Sequence, residues 1–212
     1  MIKNLIFDFG GVLVNLDKDI CTAEFKKINA EEVGHYVDFC IQEDLFHELE
    51  IGAITVPQFC KEVRKKAPNC TGTDKQICDA WASLLTDVPV HRLAALLELK
   101  EKYRLFLLSN TNEIHWEMAE DLFFCQVEGL CVDDYFEKCY LSNRLGMIKP
   151  SPEIFKLVLE ENGLNPDETL FIDDSPKNCA AAEAVGIHAF HSPTGEDWIE
   201  FTQSATPQKQ NH

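Results

Sequence analysis

Short apolar runs that end in polar or glycine residues recur along the chain. Four of them cover residues 5–7, 105–108, 139–141 and 170–172, and a fifth candidate covers residues 187–190. Apolar runs of this length without alternation are typical of strands buried on both faces of a parallel sheet. The pattern therefore predicts five short strands.

Helical patterns lie between these runs. Residues 90–103 place leucines three or four positions apart directly before the second run. In residues 151–163, Ser151 can cap a helix, Pro152 suits its first position and Gly163 suits a left-handed stop. The same order of Ser, Pro and closing Gly recurs in residues 175–186. Alternating strands and helices predict an α/β fold with a doubly wound parallel sheet.

A segment with a different texture follows the first strand. Residues 15–87 contain amphipathic helical patches at 20–28, 30–39, 56–66 and 74–85, and no buried-strand run. We interpret residues 15–87 as a small helical cap, residues 1–14 and 88–205 as the α/β core, and residues 206–212 as a disordered tail. An insertion here lies beside the carboxyl ends of the strands, where ligands bind in open α/β sheets.

Composition narrows the range of partners. The 212 residues carry 19 basic and 36 acidic side chains, a formal charge of −17, which disfavours nucleic acids and anionic membranes as partners. No stretch has the length of a membrane span or the layout of a signal peptide. The nine cysteines are scattered without a Cys-x-x-Cys pair, so we expect reduced thiols in a cytoplasmic protein.

The strand ends carry candidate chemistry, beginning with Asp8. This carboxylate ends the first predicted strand and is followed, after Phe9, by Gly10 and Gly11. Backbone without side chains lets a phosphate approach, so Asp8 is suited to nucleophilic attack on it. Taken alone, an Asp that turns the chain at a strand end is the better explanation.

Candidate phosphate ligands follow the next two strands. Ser109 and Asn110 can hold phosphate oxygens without adding negative charge, and Lys149 supplies a compact positive charge. In isolation, a helix cap by Ser109 or Thr111 and a solvated surface lysine explain these residues equally well or better.

An acidic pair, Asp173 and Asp174, ends the fourth predicted strand. If these carboxylates meet Asp8 at one edge of the sheet, they repel one another unless a cation lies among them. Mg²⁺ prefers oxygen ligands and is the natural candidate. An isolated Asp-Asp pair is more simply explained as an acidic turn before a helix.

In chain order these positions resemble the hydrolases of the haloacid dehalogenase superfamily. The resemblance rests on four motifs that bracket nearly the whole chain: FDFGGVL at residues 7–13, LLSNTN at 107–112, GMIKPSPEIF at 146–155 and FIDDSPKN at 171–178. The helical insert matches the first cap position of that family. Among its branches, the chain most resembles the bacterial group that includes α-D-glucose-1-phosphate phosphatases.

The resemblance implies a role for each strand-end residue. Asp8 would be the nucleophile, Ser109 and Lys149 would bind the phosphoryl group, and Asn110 would add an amide contact to it. Asp8 would also bind Mg²⁺, together with the acidic pair and the backbone carbonyl of Gly10. Asp174 would be a direct ligand, and Asp173 either a ligand or a partner of the ligands.

One position departs from the family pattern. Phosphatases of the family usually carry a second aspartate two residues after the nucleophile as general acid and base, and here that residue is Gly10. Loss of such help typically costs roughly 10²–10⁴ in rate. Without it, an ester with a good leaving group is favoured, and a sugar 1-phosphate fits.

The resulting expectation is a Mg²⁺-dependent phosphatase that hydrolyses a small phosphorylated metabolite through an aspartyl-phosphate at Asp8. One alternative is a 2-haloacid dehalogenase, which needs no metal and leaves Asp173 and Asp174 unexplained. Another is a catalytically weak phosphate-binding pseudophosphatase, which Gly10 suggests. The sequence does not predict the oligomeric state.

Residues 46–52 of the predicted cap are the place where we expect substrate contacts. This segment ends in a glycine, and cap loops that contain glycine can face the site below them. His47, Glu48 and Glu50 are the candidate side chains. A solvated helix end explains them at least as well. Trp81, Trp116 and Trp198 are interpreted as packing residues, and His115 receives no role.

Overall fold

A five-stranded parallel sheet forms the centre of the protein. The computed structural model describes residues 1–39, 45–193 and 195–204. The strand order is β3-β2-β1-β4-β5 and all pairings are parallel, so the predicted doubly wound sheet is confirmed. The strands are β1 (Asn4–Phe7), β2 (Arg104–Ser109), β3 (Lys138–Leu141), β4 (Thr169–Asp173) and β5 (His188–His191).

Helices fill the connections between the strands. The connection from β1 to β2 begins with α1 (Lys18–Lys27), α2 (Glu31–Phe39), α3 (Leu45–Glu50), α4 (Val56–Lys66) and α5 (Asp74–Ala82). The others are α6 (Val90–Lys100), α7 (Glu113–Met118) with a π-helical turn at Ala119–Phe123, α8 (Val132–Tyr135), α9 (Ser142–Leu145), α10 (Pro152–Asn162), a 3-10 turn at Pro166–Glu168, α11 (Pro176–Ala184) and α12 (Asp197–Ser204).

Alternate residues of the strands face two different apolar layers. Leu5 and Phe7 pack into the layer that contains Trp116 and Trp198, whereas Ile6 packs into the layer under α10. The ring of Trp198 meets that of Phe7 edge-on at 5.0 Å. Because both faces of the sheet are covered, its strands are apolar without alternation.

Helices α1 to α5 bury an apolar core of their own. Its largest members include Phe25, Phe59 and Trp81, all buried, and Ile114 of α7 packs against it. The three tryptophans are thus packing residues, as predicted. The boundaries of core and cap drawn from the sequence stay a prediction, and the predicted tail at 206–212 lies outside the described residues.

Several local details differ from the expectations. Helices α10 and α11 begin at a proline as predicted, but neither Ser151 nor Ser175 caps its helix with the side chain. The Ser151 hydroxyl instead bonds to the Glu153 carboxylate. Helix α7 is capped by Asn112, whose side-chain oxygen accepts the backbone N–H of His115 at 3.1 Å, and by neither Ser109 nor Thr111.

Two bulk expectations can be compared with the structure. The cysteines in the described part of the chain are free thiols, in line with the expected reduced state. Among the described helices, none is both long enough and apolar enough to cross a membrane.

Candidate active site

Three aspartates meet at the carboxyl edge of the sheet because β1 and β4 are neighbours in register. Phe7 pairs with Ile172, and the backbone N–H of Asp8 donates to the Ile172 carbonyl at 2.9 Å. Carboxylate oxygens of Asp8, Asp173 and Asp174 all lie within 4.8 Å of one another. Asp8 and Asp173 are buried, whereas Asp174 is exposed. The predicted convergence of the acidic residues is therefore present.

A buried lysine joins two of these carboxylates. The Nζ of Lys149 lies 2.7 Å from Oδ1 of Asp8 and 2.7 Å from Oδ2 of Asp173. Its side chain is 1% exposed, and Nζ lies 5.3 Å from the centre of the Phe171 ring. A fully desolvated ammonium between two carboxylates is a strong ion-pair network, and it rules out the surface-lysine interpretation of Lys149.

One lysine does not neutralise three carboxylates. Burial raises the pKa of Asp8 to about 8; Lys149 opposes this rise, whereas Asp173 and Asp174 add to it. The pKa of Asp174 is also raised, first by burial and then by Asp173. The pKa of Lys149 is raised because its two carboxylate partners outweigh its desolvation. The site thus has an excess of negative charge that a further cation can balance.

Hydrogen bonds hold Lys149 and Asp173 in position. The side-chain oxygen of Asn110 accepts the backbone N–H of Lys149 at 2.8 Å, and its amide donates to the Lys149 carbonyl at 3.0 Å. Asp173 accepts the Ser175 N–H at 2.7 Å and the Asn178 amide at 3.0 and 3.1 Å. The role of Asn178 was missed in the sequence, although it lies within the motif at residues 171–178.

Ser109 is the last residue of β2, the other neighbour of β1. Its buried hydroxyl makes a long contact of 3.4 Å with the carbonyl of Asn110. Ser109 and Asn110 therefore lie at the same sheet edge as Asp8, as their strand-end positions predicted. Asn110 differs from the expectation in one respect, since its side chain is already engaged with the backbone of Lys149.

The two glycines after the nucleophile candidate are not equivalent. Gly11 has a φ of +74°, and a Cβ there would lie 2.6 Å from Oδ2 of Asp174. A side chain would collide with that carboxylate, so the acidic cluster needs glycine at this position. At Gly10 a Cβ would meet only the methyl groups of Leu16, at 3.6 and 4.0 Å. A side chain at residue 10 would therefore fit without a steric collision.

The end of α3 packs on α9 beside the site. The Ser142 hydroxyl lies 2.6 Å from the carbonyl of Glu50 and accepts the Thr111 N–H at 2.9 Å. At Gly52, with φ of +68°, a Cβ would lie 2.2 Å from the Asn143 carbonyl. The segment at residues 46–52 thus touches the loops at the sheet edge. Pattern analysis missed α9 and Ser142 because four residues show no helical periodicity.

The residues of that segment differ in exposure. Glu48 is exposed, whereas His47 and Glu50 are half-buried. Burial raises the pKa of Glu50 to about 7, while the charge of Lys149 acts in the opposite direction. Substrate contact by these three residues stays a prediction.

His115, for which the sequence suggested no role, is a buried structural residue. Its Nε2 lies 2.9 Å from the Trp81 carbonyl, and its ring stacks on the Trp81 ring at 4.6 Å. Its Nδ1 lies 3.2 Å from the Asn112 amide. Burial lowers the pKa of His115 to about 4. This neutral imidazole ties α7 to α5.

The donor set fits a magnesium ion. Three carboxylates within 4.8 Å supply oxygen ligands, and an ion of this kind commonly uses one or two carboxylates together with phosphate oxygens. Burial raises the pKa values of Asp8 and Asp174 and the neighbouring carboxylates add to the rise, so a bound cation would favour their ionised forms. A carboxylate beside a buried ammonium and a divalent cation suits nucleophilic attack on a phosphoryl group.

Sheet order, strand-end chemistry and sequence agree on the class of protein. The chain belongs to the haloacid dehalogenase-like hydrolase family, whose model matches residues 2–186. It is 35% identical over 203 residues to a D-ribitol-5-phosphate phosphatase of Bacteroides thetaiotaomicron, an alignment that covers 93% of this chain and 95% of that protein.

Solved structures give the same picture. A haloacid dehalogenase family enzyme of B. thetaiotaomicron, bt-2542, solved in complex with magnesium and inorganic phosphate, matches with a TM-score of 0.89 and 44% identity. The match covers 95% of this chain and 99% of that one. An L-2-haloacid dehalogenase of Xanthobacter autotrophicus, 17% identical with a TM-score of 0.63 over 98% of this chain and 85% of that one, shares the fold alone. The phosphatase at 35% identity and the magnesium complex at 44% identity support the predicted phosphate monoester hydrolase with Mg²⁺ as cofactor.

Proposed function

We propose that this protein hydrolyses a small phosphate monoester in a Mg²⁺-dependent reaction through an aspartyl-phosphate at Asp8. The observation that carries the proposal is the chain of ion pairs from Asp8 through Lys149 to Asp173, with Asp174 in the same carboxylate cluster. The arrangement combines a nucleophile, a buried positive charge and oxygen ligands for a cation. In-line attack on a held phosphoryl group needs little more than such positioning and charge.

Both contacts of the Asp8 carboxylate involve one oxygen. Oδ1 accepts the Phe9 N–H at 2.7 Å and pairs with Lys149, which leaves Oδ2 as the attacking atom. Lys149 would hold a phosphoryl oxygen and neutralise charge in the transition state. The Ser109 hydroxyl and amide groups of the loop at Asn110 would bind the remaining phosphoryl oxygens.

The ligands of the magnesium ion would be Asp8, the Gly10 carbonyl and Asp174. Asp173 is less suited to direct ligation because Ser175, Asn178 and Lys149 already occupy its two oxygens. We therefore assign Asp173 the task of orienting Lys149. Bound Mg²⁺ would supply positive charge that keeps Asp8 ionised and would orient the phosphate.

The substrate class that we propose is a small sugar or sugar-alcohol phosphate. The B. thetaiotaomicron relative at 35% identity is a D-ribitol-5-phosphate phosphatase. Gly10 in place of an acid favours esters with good leaving groups, and this keeps sugar 1-phosphates within the proposal. The acidic surface, with a formal charge of −17, disfavours polyanionic substrates.

A panel of phosphate esters tests this function. Phosphate release from ribitol 5-phosphate, sugar 1-phosphates and p-nitrophenyl phosphate is measured with Mg²⁺ and with a chelator, for the parent and for Asp8→Asn. We expect turnover that requires both Mg²⁺ and Asp8. Turnover that survives chelation or the substitution would contradict the proposal. Tight binding of esters without any turnover would instead support a pseudophosphatase.

The dehalogenase alternative has a separate test. Halide release from a 2-haloacid in the presence of chelator would favour it, because that reaction needs no divalent metal. The cluster of three carboxylates disfavours the dehalogenase alternative, because without a cation Asp174 only adds to the repulsion within the cluster.

A further inference from the structure

The missing carboxylate at Gly10 leaves the leaving-group oxygen without a proton donor on the sheet side of the site. Asp8 must be ionised to attack, and Lys149 is held by two carboxylates. Asp173 is occupied by hydrogen bonds, and Asp174 is assigned to the cation. An acid for the leaving group must therefore come from the opposite, cap side.

The last residue of α3 is a glutamate in that position. Its backbone carbonyl lies 2.6 Å from the Ser142 hydroxyl, and Ser142 in turn binds the loop that follows Ser109 and Asn110. Two residues further, Gly52 packs so closely that a Cβ would collide with the Asn143 carbonyl. The backbone of Glu50 is thus fixed against the edge of the sheet where the phosphoryl group would bind.

The carboxyl of Glu50 is within electrostatic reach of the same centre. Lys149, which contacts Asp8, is the charged group that acts on the Glu50 carboxyl. Within the described ranges, neither a hydrogen bond nor an ion pair engages that carboxyl, in contrast to Asp173. A half-buried carboxyl without a structural partner at the mouth of a catalytic site is available for proton transfer.

We infer that Glu50 is the general acid and base of this enzyme and replaces the aspartate that is absent at Gly10. The inference rests on the proposed phosphatase function. Protonation of the Glu50 carboxyl is favoured by burial, which raises its pKa to about 7, and by the location of this residue at the negative end of α3.

Glu50 alone accounts for both proton transfers of the reaction. As Asp8 bonds to phosphorus and the bond to the ester oxygen breaks, the Glu50 carboxylic acid gives its proton to that oxygen and an alcohol leaves. The Glu50 carboxylate then takes a proton from a water molecule whose oxygen bonds to phosphorus. The bond from phosphorus to Asp8 breaks, phosphate leaves, and both side chains return to their starting states.

The test compares two esters that differ in leaving group. An alkyl phosphate such as ribitol 5-phosphate needs protonation of its leaving oxygen, whereas p-nitrophenyl phosphate does not. For Glu50→Gln we expect kcat on the alkyl phosphate to fall by roughly 10²–10⁴. With p-nitrophenyl phosphate, the pre-steady-state burst of p-nitrophenol reports the first step alone and should keep its rate, whereas later turnover slows because the second step needs the Glu50 base. The matched control is Glu62→Gln, at a half-buried cap glutamate paired with Lys65, which should change neither rate.

A rescue variant separates acid catalysis from a structural role. A Cβ at Gly10 meets only the Leu16 side chain, so Gly10→Asp can place the acid at its usual family position. In the Glu50→Gln background, Gly10→Asp should restore hydrolysis of the alkyl phosphate. An equal loss in the first step for both esters, no loss on either, or failure of the rescue would overturn the role of Glu50. No phosphate release by the parent from either ester would overturn the proposed function, and this inference with it.

Discussion

The ammonium of Lys149 lies 2.7 Å from the carboxylate of Asp8, and both side chains are buried. Strands β1 and β4 are neighbours in register, so they place Asp8 and Asp173 side by side, where one lysine can reach both carboxylates. The lysine therefore has two roles. It offsets the repulsion between the carboxylates in the folded protein, and in the proposed mechanism it would supply positive charge to a phosphoryl group.

Removal of this lysine should affect stability and activity together. Lys149→Met leaves Asp8 and Asp173 buried without their cation, and we expect the free energy of unfolding in chelator to fall by about 3 kcal/mol. Added Mg²⁺ should recover part of this loss, while turnover stays absent. Denaturant unfolding with and without Mg²⁺ measures the effect.

A surface lysine serves as the control for that variant. Lys138 pairs with Glu161, and both side chains are at least 40% exposed. Lys138→Met should therefore cost less than about 1 kcal/mol. If Lys149→Met costs no more than Lys138→Met, the buried network does not stabilise the fold as described.

The close approach of Gly11 to Asp174 predicts a selective defect in metal binding. A methyl group at Gly11 would displace the Asp174 carboxylate, so Gly11→Ala should weaken Mg²⁺ binding by roughly 10- to 100-fold. Gly163→Ala is the matched control, since its φ of +60° carries the same backbone strain with nothing within 4 Å. Calorimetric titration of both variants with Mg²⁺ decides. Equal affinities would refute the steric role of Gly11.

The buried imidazole of His115 predicts a pH dependence of stability. Its pKa is about 4 when folded, below the ordinary 6.5, so the unfolded chain binds the extra proton between these values. The contribution of His115 to the free energy of unfolding is complete above pH 6.5. It decreases by on the order of 3 kcal/mol as the pH falls toward 4. His115→Gln should flatten the unfolding profile in this window, whereas replacement of the exposed His188 should not. If the free energies of unfolding of the parent and of His115→Gln depend on pH in the same way, the lowered pKa assigned to His115 is wrong.

The sheet and its strand-end chemistry could be predicted because both leave local signals. A buried parallel strand is a continuous apolar run, and a polar residue directly after it must lie at the carboxyl edge. Asp8, Ser109 and Asp173 were found in this way. Lys149 follows the third strand less directly, since α9 lies between them, and its placement rested on its position before a proline-started helix and on the resemblance of its motif to a family.

Other parts of the site depend on tertiary contacts that carry no pattern. The need for glycine at residue 11 arises from Asp174, which is 163 positions away, and the contact of Ser142 with Glu50 joins two short helices. Helices of four to six residues complete too few turns for a periodic signal. The burial of Glu50, and with it the raised pKa of its carboxyl, becomes visible only once the cap packs on the core.

The most direct test of the account is the rate of phosphate release by Asp8→Asn with saturating Mg²⁺. Burial disfavours the ionised Asp8, since it raises the pKa of that carboxyl to about 8, so the neutral amide should fold with a stability in chelator no lower than that of the parent. With folding verified by thermal unfolding, we expect turnover to fall by more than about a thousandfold. A folded Asp8→Asn variant that keeps turnover within about tenfold of the parent would contradict the assignment of Asp8 as the nucleophile.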